Sequence, residues 1–143
     1  MTATAAGTAR RLWERGGGSA TSPEEAGAAA QRVCDELRGG LSRWVGAEGY
    51  RALLDRALAL SVTEHPVLKS ISCYDGDVLA AVAAARMHGA GQLATGVVTL
   101  VSTLIELLGR IVGEEIAVQL VERAGTPGPP AGSNTDGRRG RNG

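Results

Sequence analysis

The fold is decided by residues 93–112: Leu93-Ala94-Thr95-Gly96-Val97-Val98-Thr99-Leu100-Val101-Ser102-Thr103-Leu104-Ile105-Glu106-Leu107-Leu108-Gly109-Arg110-Ile111-Val112. Leu93, Val97, Leu100, Leu104, Leu107 and Ile111 recur in alternating steps of four and three, and Ala94, Val98, Val101, Ile105, Leu108 and Val112 do the same. Such spacing stacks side chains on one helix face. Two adjacent seams make a face wider than a surface helix needs. The remaining stripe, Thr95, Gly96, Thr99, Ser102, Thr103, Glu106, Gly109 and Arg110, is mostly small. The pattern predicts a central helix buried nearly all round.

Working outward, Gly113-Glu114-Glu115 breaks and restarts the helix, with acids in the first turn of a last helix over 114–123. On the other side, His88-Gly89-Ala90-Gly91 ends an Ala-rich helix over about 77–88, capped by Asp75 or Asp77. Residues 66–77 are ambiguous. Val67 to Tyr74 favours strand and Asp75-Gly76 favours a turn, but no second strand follows, so a loop or short turn is preferred to a hairpin.

Further back, Tyr50, Leu53, Leu54, Ala57, Leu58 and Ser61 mark an amphipathic helix over about 47–64, ended near His65-Pro66. Gly46 and Gly49 separate it from the helix before. That helix opens on Ser22-Pro23-Glu24-Glu25, which reads as an N-cap Ser, Pro at the first helical position and Glu closing a capping box. Ala26, Ala30, Val33, Leu37, Leu41 and Trp44 follow at helical spacing, and Gly39-Gly40 inside the run predicts a kink or a closely packed neighbour.

The ends read differently. Residues 1–22 read as a flexible segment in which Ala5, Ala9, Leu12 and Trp13 form one short helix, marginal alone, before the Gly16–Ser19 linker. The stretch carries Arg without an apolar run, so it is no secretory signal and only loosely resembles a transit peptide. Residues 125–143 hold no apolar side chain larger than Ala and read as a disordered Gly/Pro/Arg-rich tail. The ordered part is then one all-α domain over 23–124, a compact bundle of four or five helices around the hydrophobic 92–112 helix.

Composition agrees with one helical domain. Of 143 residues, 43% are hydrophobic and only 3% aromatic, with no Phe, so the core is aliphatic. Formal charge is zero, with basic excess at both ends and acidic excess in the middle, which argues against a nucleic-acid-binding body. Lys69 is the single Lys among the basic residues. With the Ala and Gly excess, that points to a GC-rich, bacterial source. Residues 89–105 carry no charge. Glu106 and Arg110 follow before the apolar run ends, so a core helix of a soluble bundle explains the segment without placing charge in lipid, and a membrane role stays a second alternative.

Chemistry is sparse. The two histidines, His65 and His88, both stand at helix C-termini, where the dipole favours them. Cys34 and Cys73 make no disulfide framework and read as small buried hydrophobes in a reducing cytosol. A catalytic pair of a His with a Cys is the sharper reading. There is no C-x-x-C, H-x-x-x-H or Glu-x-x-His, and no Gly-rich phosphate loop, so neither a metal nor a cofactor is expected. Glu106 and Arg110, four apart on the central helix, form an edge ion pair or line a pocket.

Two stretches, Trp44-Val45-Gly46-Ala47-Glu48-Gly49-Tyr50-Arg51-Ala52-Leu53-Leu54 and Leu107-Leu108-Gly109-Arg110-Ile111-Val112-Gly113-Glu114-Glu115, resemble small, uncharacterised, all-helical bacterial proteins. The resemblance implies a discrete helical domain and no particular activity. The expectation is a cytoplasmic, non-enzymatic interaction or regulatory module, self-associating or binding a protein partner. The alternative is a small enzyme or ligand-binding bundle with a pocket at Glu106, Arg110, His65 or Cys73.

Overall fold

The computed structural model describes residues 3–17, 22–70 and 78–124. In order these form α1 (Ala3–Gly17), α2 (Pro23–Ser61), a 3-10 turn (Pro66–Ser70), α3 (Val78–His88), α4 (Ala90–Val112) and α5 (Glu114–Ala124). No strand occurs among the described residues. The protein is an all-α bundle, and α4 is its axis, packed on α1, α2, α3, α5 and the 3-10 turn.

The two seams of α4 are buried through the middle of the helix, while Ala94, Val98 and Val112 are half-buried and Ile111 is exposed, so the helix is not buried all round. Leu93, Val97, Leu100, Val101, Leu104, Ile105, Leu107 and Leu108 are all 6% exposed or less. The small stripe works as a close-approach surface. A Cβ added at Gly96 would lie 3.0 Å from Val67 Cγ1, so the 3-10 turn packs directly onto α4 there. Val67 and Leu68, on the ambiguous stretch, are core residues. The turn supplies what a loop reading leaves out. Residues 71–77, with the capping expectation on Asp75 and Asp77, lie outside the described residues, as does the tail over 125–143.

The start of α2 follows its sequence: Ser22 Oγ accepts from Glu25 N–H at 3.1 Å, and Glu25 Oε1 accepts from Ser22 N–H at 3.4 Å. The helix runs unbroken through Gly39-Gly40, and a Cβ at Gly39 would meet nothing within 4 Å. The expected defect is therefore absent there. It falls at Gly46, whose φ of 81 and ψ of 163 divide α2 into arms over 23–45 and 47–61. That left-handed φ is open to glycine and costly for other residues.

Three expectations need correction. The first concerns α1. It is a full member of the core, not a flexible lead-in: Ala5, Ala9, Leu12 and Trp13 are at most 6% exposed, and Arg11 bonds Glu122 of α5 at 2.7 Å. A helix that is marginal alone is stabilised by burying its apolar face. Second, Trp44 and Ile111, expected in the buried stripes, are 63% and 66% exposed. Each stands two residues before a positive-φ glycine, Gly46 and Gly113, where the chain leaves the helix axis. Third, Cys34 is disulfide-bonded, not a free thiol. Cys73, the other cysteine of the chain, lies outside the described residues.

Candidate functional site

The polar stripe of α4 carries two separate features. Near its middle, the Thr103 hydroxyl meets Ser61 at the end of α2 and the Thr99 hydroxyl meets His65 just beyond it. Thr103 Oγ1 accepts from Ser61 Oγ at 3.3 Å and donates to the Thr99 carbonyl at 2.9 Å, while Ser102 Oγ donates to the Val98 carbonyl at 2.8 Å. His65, just past α2, is held by backbone bonds: its N–H donates to Ser61 O and its carbonyl accepts from Leu68 N–H, each at 3.0 Å. Its Nε2 then lies 3.1 Å from Thr99 Oγ1.

The other ring nitrogen, Nδ1, is buried without a hydrogen-bond partner. The ring is thus tied to α4 through Nε2 and Thr99 Oγ1, with donor and acceptor set by the tautomer. Unlike Ser102 and Thr103, Thr99 makes no hydrogen bond back to the carbonyl four residues earlier among the described residues.

Glu106 and Arg110 lie further along the same stripe. They line a cleft of about 300 Å³ at the α4–α5 junction with Ile105, Gly109 and Glu114. From Thr99 to Glu106 is about 10 Å along α4 at 1.5 Å per residue, and His65 is not among the residues of that cleft. Of the sequence candidates, Glu106 and Arg110 share a site, His65 belongs to a different one, and Cys73 is not among the described residues. Among those residues no three His, Cys, Asp or Glu groups gather as metal ligands.

A second cleft, about 380 Å³, opens between α1 and α4. Arg10, Trp13 and Glu14 of α1 face Ala94, Val98 and Thr99 of α4 across it. Reading α1 as a flexible segment hides this cleft, although Trp13 and the spacing of Arg10 to Glu14 are plain in the sequence.

Two groups in the α2 arms have unusual surroundings. Burial raises the Glu36 carboxyl above its ordinary value of 4.5, against the pull of Arg32 and Arg15, and its Oε1 is buried without a partner. Burial also pushes the Tyr50 hydroxyl up; the side chain is 2% exposed and the hydroxyl has no partner. Neither lines a described cleft.

The surface of α3 is the third feature. On its inner face Ala81, Ala84 and Ala85 are at most 2% exposed, and half-buried Val82 packs against Gly27 of α2. Its two largest apolar side chains point outward, Leu79 at 76% and Met87 at 77% exposure, with exposed Ala83 between them. The uniform apolarity of α3 gives no phase, so the sequence does not tell which face turns out.

Among the described residues α4 alone is long and apolar enough to cross a membrane, and half of its most apolar window is buried inside the bundle. No protein-family model, curated protein or solved structure matches the chain. The resemblance to small helical bacterial proteins therefore rests only on the two stretches quoted for it.

Proposed function

We propose that the protein is a non-enzymatic interaction module that self-associates through the outer face of α3. The observation that carries this reading is the Leu79–Ala83–Met87 stripe, whose two large ends are more than three-quarters exposed. Exposed apolar stripes of this kind mark partner sites more often than isolated apolar residues do.

A second copy suits the stripe. Large, small and large residues at steps of four are self-complementary in an antiparallel pair: Leu79 meets Met87 of the other copy, and Ala83 meets Ala83 where the backbones come closest. Around that two-fold axis the two Arg86 side chains lie about 9 Å apart along the helix at 1.5 Å per residue. Each Arg86 already pairs with its own Glu24, so the rim brings no like charges together. Three residues cover well under the roughly 800 Å² per partner of a standard interface. The association is therefore weak and concentration-dependent.

The cytoplasmic location expected from the sequence fits poorly with the disulfide at Cys34, because disulfides persist mainly in oxidising surroundings. The proposed setting is an oxidising one.

Sedimentation velocity from a few to several hundred micromolar tests the reading. The expected result is a concentration-dependent rise above the 14.6 kDa monomer that Leu79→Glu and Met87→Glu each abolish with helical content unchanged. A monomer throughout the range, or association that survives both substitutions, overturns it.

A further inference from the structure

The cleft between α1 and α4 combines a cation, an anion, a buried indole and a hydroxyl, and none of these is needed by the α3 surface. Arg10 and Glu14 stand four residues apart on one face of α1, a spacing that normally pairs opposite charges. Here they make no ion pair with each other or with any other group among the described residues. Both line the cleft. Trp13 is 6% exposed, so the part of its ring that is not buried in the core faces the same space. Ala94 and Val98 are the apolar part of the opposite wall, and Thr95 and Thr99 are its hydroxyl-bearing part.

Thr99 adds a hydroxyl-bearing residue to the cleft wall, tied to the protein by its 3.1 Å contact with His65 Nε2. At about 380 Å³ the cleft is at the small end of ligand sites, which favours a compact molecule.

We infer that the α1–α4 cleft binds a small zwitterion of the apolar α-amino-acid kind. Its carboxylate meets Arg10 and the Thr99 hydroxyl, its ammonium meets Glu14, and its side chain rests on Trp13, Ala94 and Val98. Each charged group then gains a partner that no described residue provides, and charge-assisted hydrogen bonds of this type are the stronger ones.

Trp13 reports on the site. In the full chain carrying Trp44→Phe, it is the only tryptophan. Emission is followed while L-valine, L-leucine, L-isoleucine, L-methionine and L-phenylalanine are each added to tens of millimolar. The expected result is a saturable change with at least one of them. The matching carboxylate without the amine and the matching amine without the carboxylate should bind about tenfold more weakly or worse, the scale of one charge-assisted contact. Arg10→Gln and Glu14→Gln, both exposed, should weaken binding to the same extent while leaving Tm unchanged, and Thr99→Val should weaken it less. No saturable change with any of the five overturns the inference. So does equal binding of the one-charge analogues, or unaltered binding by both charge variants.

Discussion

Gly27 of α2 lies against the backbone of Val82 in α3: a Cβ built on Gly27 would fall 2.6 Å from Val82 N and 2.7 Å from its Cα. Val82 Cγ2 would be nearer still, at 2.5 Å, so both the backbone and the side chain of Val82 press on α2 where glycine leaves room. Backbone atoms cannot swing aside as a side-chain tip does. Gly27→Ala should therefore cost about 1–3 kcal/mol, as overpacking of a tight core does. Gly39→Ala, on the same helix with open space around it, should stabilise by about 0.5–1 kcal/mol, because alanine restricts the unfolded chain and suits the helix better. Denaturant unfolding of the two variants checks the opposite signs. Equal effects would mean that α2 and α3 do not press together at Gly27.

The place of α1 in the core gives a second prediction. Leu12 is completely buried, so Leu12→Ala should cost about 2–5 kcal/mol. For a chain of this size, even 1 kcal/mol moves Tm by about 4–8 °C. Deleting residues 1–17 should lower Tm by more than Leu12→Ala alone. Breaking the exposed Arg11–Glu122 pair with Arg11→Ala should cost under about 1 kcal/mol, since both side chains are well solvated. Calorimetry on the three variants ranks them. If the deletion leaves Tm in place, α1 does not hold the position described.

These results mark where sequence reading works. The seams of α4 and the stripe through Ala26, Val33, Leu37 and Leu41 were legible because periodicity reports which face is apolar. Periodicity does not report where the axis turns. Trp44 and Ile111 continue their stripes without a break and still emerge into solvent, each two residues before a glycine of positive φ. The face of α1 was legible through Ala5, Ala9, Leu12 and Trp13, but its docking was not. A glycine linker and an Arg-bearing start look the same whether the helix packs or frays. The α1–α4 cleft was lost with it, because its walls come from residues eighty or more positions apart. Glu106 and Arg110 did show their shared cleft, since four residues on one helix fix proximity locally.

The phase of α4 is checked by contrasting two apolar positions on one seam. Leu104 is fully buried and Ile111 is 66% exposed. Leu104→Ala should cost about 2–5 kcal/mol, and Ile111→Ala under about 0.5 kcal/mol. Chemical denaturation distinguishes them easily. Similar costs would place the end of α4 inside the bundle.

The disulfide at Cys34 predicts that the native chain, unfolded in guanidinium without reductant, shows no titratable thiol, and two after reduction, since the chain holds two cysteines. Reduction should lower stability by about 2–5 kcal/mol, mainly by freeing the unfolded chain. A full complement of thiols in unreduced protein would restore the reading of Cys34 as a simple buried hydrophobe and remove the argument for an oxidising setting.

Glu36 supplies a pH dependence with a definite sign. Burial raises its carboxyl above the ordinary 4.5, with Arg32 and Arg15 offsetting part of the effect. A raised folded-state value means that the folded protein holds this proton more tightly than the unfolded chain does. The stabilising contribution is fully present below the unfolded value and is lost as pH rises through the folded one. At neutral pH the folded state therefore keeps a carboxylate whose Oε1 is buried without a partner. Glu36→Gln removes the charge at nearly constant shape. It should raise Tm at pH 7, and the gain should shrink as pH falls into the carboxylate range, where native Glu36 is itself neutral. Thermal melts of both proteins between about pH 3 and pH 8 test this. A Tm difference that stays constant with pH would show that Glu36 is solvated as well in the folded chain as in the unfolded one.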